Sequence, residues 1–155
     1  MPNRITFALV LALLCASVAL APVAAEEKDD AAKKELAKFK GTWKFVSMER
    51  DGKEEPKSEE MPTITFDGDK FTVKVGDKVV QAGTQKLDHS KKPKTVDATI
   101  SEGEGKGTTM LGIYEIDGDT MKACFDPQGK KRPTEFKTTA DSGCFLAVVK
   151  RADKK

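Results

Sequence analysis

The sequence predicts an all-β domain: an eight-stranded antiparallel up-and-down barrel preceded by a short helix. Three observations predict it. After residue 40 the chain breaks into short runs that alternate apolar and polar residues, the period-two signature of half-buried strands. Gly-Asp and Asp-Gly signals separate several of those runs at hairpin spacing. Finally, the runs number eight, and an even meander removes its exposed edges by closing on itself. A two-sheet sandwich is the alternative that alternation alone leaves open.

The elements follow in order. Residues 1–25 read as a secretory signal peptide: Arg4 supplies the positive start, Ile5 to Leu20 is uncharged and apolar, and Val23-Ala24-Ala25 precedes Glu26. The apolar run falls short of the roughly 20 residues that span a bilayer, so no transmembrane span is expected after cleavage behind Ala25. Leu13-Leu14 before Cys15 argues against a lipid anchor. Residues 26–39, "EEKDDAAKKELAKF", read as a charged, flexible start running into a short helix anchored by Leu36 and Phe39.

The strands are expected at Thr42 to Met48, Thr63 to Phe66, Phe71 to Val75, Lys78 to Leu87, Thr95 to Ser101, Thr108 to Ile116, Thr120 to Phe125 and Phe145 to Arg151. Between the last two lies a long loop, 127–143. The barrel domain spans 40–151, and 152–155 read as a disordered tail.

Charge excludes one class of partner. Without Arg4 the chain carries 26 basic and 25 acidic residues, which is no footprint for nucleic acid. Lys91-Lys92-Pro93-Lys94 and Lys130-Lys131-Arg132 lie among turn residues and read as solvated loops. Cys15 leaves with the leader. Cys124 and Cys144 remain, a candidate disulfide in an oxidising compartment, with two buried free thiols as the alternative.

Several patterns that suggest chemistry fail on inspection. "GEGKGTT" has Gly107 where a phosphate loop needs Ser or Thr, and it precedes a strand, not a helix. Asp67-Gly68-Asp69 and Asp117-Gly118-Asp119 lack the further ligands of a calcium loop and read as tight turns. His89, the only histidine, has no partners at metal spacing and no nucleophile elbow to serve. No catalytic residue, metal or cofactor is expected. Arg132, Thr134, Glu135 and Phe136 stand out in the long loop because they combine a cation, a hydroxyl, a carboxylate and an aromatic anchor. They are the candidate ligand-binding set, at the barrel mouth opposite the Trp43 end. The bland alternative is a loop tied down by Phe136 and by pairing of Glu135.

Gly41-Thr42-Trp43, at the head of the first strand, resembles the first-strand signature of lipocalins. That resemblance implies that the turn at Leu36 to Lys40 precedes the motif. It also implies that Trp43 plugs one barrel end beneath Arg151, so Gly41, Trp43 and Arg151 are structural. A wider similarity covers residues 41 to 151. "GTWKFVSMERDGK", "ITFDGDKFTVK", "LDHSKKPKTVDATISEGEGKGTTMLGIYEIDGDTMKACFDP" and "GKKRPTEF" resemble a functionally uncharacterised family of exported domains found in planctomycete bacteria. It implies a lipocalin-like β fold and export to the periplasm or beyond, with no catalytic residues to transfer. Two positions depart from it. Gln85 stands after Gly-Thr where a bulky apolar residue is expected, and Cys144 looks particular to this chain.

The expected role is non-enzymatic. One version is a calyx for a small apolar or amphiphilic ligand. Another is a solid barrel that meets an envelope protein through its outer surface, and an enzyme using the 127–143 loop comes last. Phe45, Phe66, Phe71 and Phe125, all expected inside, lean toward a largely filled interior.

Overall fold

A computed structural model describes residues 23–152, with side chains from residue 26. The leader expected at 1–25 and the tail expected at 152–155 lie outside the described residues, apart from Val23 to Ala25 and Ala152. Helix α1 runs over Val23–Phe39. It is longer than the short helix expected: the Ala, Lys and Glu that suggested a flexible start are also strong helix formers. Strand β1 (Gly41–Arg50) and the two-residue β2 (Lys53–Glu54) come next. They are followed by β3 (Thr63–Asp67), β4 (Lys70–Val75), β5 (Lys78–Asp88), β6 (Lys94–Gly103), β7 (Thr109–Asp117), β8 (Thr120–Asp126) and β9 (Phe145–Arg151).

Each strand pairs antiparallel with its neighbour, and β1 pairs with β9, so β1 and β3–β9 close an eight-stranded barrel. β2 only pairs antiparallel with the last two residues of β1, Glu49 and Arg50. The alternative sandwich is therefore excluded. The acidic triplets are turns: Gly68 and Gly118 stand at φ 61° and 58°, where an L side chain is strained, between β3 and β4 and between β7 and β8.

Alternation sorts the strands into two faces. Val96, Ala98 and Ile100 of β6, Met110 and Tyr114 of β7, and Met121 of β8 join Trp43, Phe66 and Phe71 in the inner cluster. A second, smaller cluster lies on the outer wall. There Ile113, Cys124 and Cys144 are buried, with Phe136 and Leu146 against them. Ile113, Cys124 and Leu146 belong to the outward set of β7–β9 and Cys144 lies just before β9, while Phe136 comes from the 127–143 segment that covers them.

The register explains the cysteines. Cys124 sits opposite Leu146, and Phe125 opposite Phe145. Cys144 is thus a diagonal neighbour, roughly 7–8 Å away between Cα atoms and at or beyond the reach of a disulfide. Both cysteines are free and buried, so the expected Cys124–Cys144 disulfide is not formed. Each thiol instead points at a backbone carbonyl, Cys124 at Lys137 (3.9 Å) and Cys144 at Ser142 (3.5 Å). Burial and the neighbouring Cys144 push the Cys124 thiol up to about 11.

Candidate ligand-binding site

One end of the barrel is sealed by the residues the sequence singled out. Trp43 is fully buried and donates its indole N–H to the Phe39 carbonyl at 2.7 Å. The Arg151 guanidinium lies 4.2 Å from the indole centroid and donates to the carbonyls of Lys40 (2.9 Å) and Lys38 (2.7 Å). One cation thus covers the indole and holds the last turn of α1. Gly41 enters β1 at φ 115°, and a Cβ there would stand 3.6 Å from Arg151 Nη1.

The helix is pinned a second time. Glu35, buried at 4 % exposure, accepts hydrogen bonds from Lys38 (2.6 Å), Lys94 (2.7 Å) and the Tyr114 hydroxyl (2.9 Å). Burial alone would raise its pKa. The three donors outweigh that and hold the carboxyl down at about 2. Burial and the same hydrogen bond push the Tyr114 phenol up. Phe39 then fills the floor, edge-on to Phe66 and Tyr114 at 5.2 and 5.1 Å.

Above this floor the barrel is hollow. A cavity of about 500 Å³ occupies the interior, within the range of small-molecule sites. Phe71, Val73, Ala98, Ile100, Met110 and Met121 are among the apolar side chains that line it. The phenylalanines expected to fill the barrel stand around its wall instead. Phe45, Phe66, Phe71 and Phe125 all line the space, and Phe125 stacks on Phe145 at 5.5 Å. Small inward residues explain the space they leave: Ala98, Ala123 and Ala147 face in at positions where a barrel of this size needs large ones to close.

Polar groups are few and sorted by depth. Arg50, at the far end of β1, and Glu104, in the loop after β6, stand at the mouth. Arg50 is half-exposed, pairs with Glu55 at 3.1 Å and lies over the Phe145 ring. Gln81 donates to the Glu104 carbonyl at 2.8 Å, tying β5 to that loop. Deeper along the same inward face of β5 is Gln85. It is 7 % exposed, and its side-chain Nε2 has no hydrogen-bond partner among the described residues. The other polar side chains of the lining are the hydroxyls of Thr108 and Tyr114, the latter bonded to Glu35.

The four loop residues expected at the mouth are elsewhere. The 127–143 segment leaves the mouth at Pro127, which does line the cavity, then descends the outer wall. Arg132 donates to the carbonyls of Val96 (3.1 Å) and Gly112 (2.7 Å) and pairs with Asp97 on the outer face of β6. Phe136 packs into the outer cluster, and Thr134 and Glu135 are exposed. None of the four lines the interior. Arg132, Thr134 and Pro133 border a separate polar cleft outside the barrel with Lys86, Lys91 and Lys92. The loop is held by contacts the sequence did not reveal. Asp126 accepts the N–H groups of Gln128, Lys130 and Lys131 at 2.7–2.9 Å, and buried Thr138 donates to Glu49 while accepting from the Gly52 N–H.

Comparison with family models, curated proteins and solved structures finds no match to any of them.

Proposed function

We propose that this protein is a non-enzymatic carrier or receptor domain that takes a small apolar or amphiphilic molecule into the barrel interior. The observation that carries the reading is the cavity of about 500 Å³, apolar along its length and sealed at the Trp43 end. A ligand enters past Arg50, Pro62, Glu104 and Pro127, buries its apolar body among the Phe and Met side chains, and leaves a polar end near the mouth. Burial of apolar surface supplies the affinity, at about 25 cal/mol per Å² before the cost of association. The methionines suit a pocket that accepts more than one shape. Export and the resemblance to exported planctomycete domains belong to the same proposal: a carrier of this kind serves an envelope or extracellular compartment.

N-phenyl-naphthylamine, a neutral dye that brightens in apolar surroundings, tests the reading. Saturable binding at one site is expected. Ala123→Phe, which puts a ring into the cavity from β8, should abolish it while the protein stays folded. A folded wild type that does not bind the dye saturably, or an Ala123→Phe variant that binds as well as wild type, would defeat the reading.

A further inference from the structure

The interior carries one group that an empty apolar space does not explain. Gln85 stands where the family resemblance led to the expectation of a bulky apolar residue, and it does not turn outward. It faces inward opposite Ala98, between Gly83 and Leu87 on the same face of β5. Its backbone N–H is satisfied by the Asp69 carbonyl at 2.7 Å, but its side-chain Nε2 is buried without a partner among the described residues. Leaving a buried amide donor unpaired costs more than replacing it with an apolar side chain. The residue opposite it across the ladder is small, Ala98, and Gln85 borders the cavity.

We infer that Gln85 is a specificity residue of the binding cavity, and that its amide donates to an uncharged acceptor on the ligand: a ketone, ester or amide carbonyl. This rests on the interior being the binding site. The acceptor is uncharged because the ionised groups of the lining, Arg50 and Glu104, stand at the mouth. A carboxylate carried down to Gln85 would lie buried without a counter-charge. The ligand therefore has an apolar body with a carbonyl inside it, in contrast to a simple fatty acid, whose one polar group belongs at the mouth.

Two probes with the same number of heavy atoms separate the possibilities: the methyl ketone 2-undecanone and the alkane dodecane. Binding is read by methyl shifts of Met110 and Met121, both in the lining, and by the side-chain amide protons of Gln85. Wild type should bind the ketone about tenfold more tightly, the net value of one buried hydrogen bond. The ketone, not the alkane, should shift the Gln85 amide protons. In Gln85→Leu and Gln85→Met the preference should vanish while dodecane binds at least as well as before. Equal affinity of wild type for both probes, an unmoved amide signal, or a preference that survives in the variants overturns the assignment of Gln85 and leaves the cavity reading intact. Failure of wild type to bind either probe overturns both.

Discussion

Trp43 and Arg151 show at the scale of single residues how one contact serves two purposes. The indole is buried, so Trp43→Ala removes a large apolar area and opens a void at the sealed end. The expected loss is about 3–5 kcal/mol, measured by urea denaturation. Arg151→Ala removes a guanidinium over the ring and two donors to the helix carbonyls; about 1–2 kcal/mol is expected. Wild-type Trp emission should be blue-shifted, and emission like that of indole in water would contradict the burial. These roles were legible in the sequence through the resemblance of Gly41-Thr42-Trp43 to the lipocalin first-strand signature, which implied a cation such as Arg151 over the indole. Gln85 was legible only as an anomaly. Its departure from the apolar residue that the family resemblance implied was visible, but nothing in one dimension says whether such a residue turns outward or is buried unpaired. The cysteines were harder still. Whether two side chains on adjacent strands bond depends on register, and a shift of two residues sets Cys144 on the diagonal from Cys124. Unreduced protein without residues 1–25, which carry Cys15, should therefore expose two alkylatable thiols once unfolded in denaturant. Finding none would show a disulfide and a different register.

Helix α1 and the 127–143 segment are the elements that tie the barrel's two ends, and each hangs on a carboxylate. For α1 it is Glu35, whose carboxyl drops from an ordinary 4.5 to about 2 in the folded protein. A depressed pKa contributes stability above the unfolded value and loses it as pH falls toward the folded one. The protein should thus lose up to about 3 kcal/mol between pH 4.5 and pH 2 through this group. Glu35→Gln should be less stable at neutral pH and should show a flatter acid limb in thermal melts. An acid limb unchanged in the variant would mean that Glu35 does not hold the helix. For the loop the carboxylate is Asp126, which gathers three backbone N–H groups as the chain turns away from β8. Strand positions were readable because side-chain alternation repeats every two residues. The loop's path was not, because it is set by tertiary contacts. Arg132 reaches carbonyls of β6 and β7, and Thr138 reaches Glu49, 89 residues away in the chain. Of the four residues that stood out in this loop, Arg132 and Phe136 bind it to the wall, while Thr134 and Glu135 are exposed.

At the scale of the whole molecule, closure of the barrel followed from counting strands, but its hollowness did not. Eight strands fix a narrow range of diameters; whether side chains fill that space depends on how many small residues face inward. Ala98, opposite Gln85, and the facing pair Ala123 and Ala147 leave a volume that the rings of Phe45, Phe66, Phe71 and Phe125 surround without occupying. The molecule thus combines one sealed end, an apolar interior with a single buried amide, and one open end edged by charge. Diffraction from crystals held under xenon tests this most directly, since xenon enters apolar cavities and little else. Xenon density should appear inside the barrel among Phe71, Met110 and Met121. An interior closed by side chains, with no xenon between them, would contradict the account.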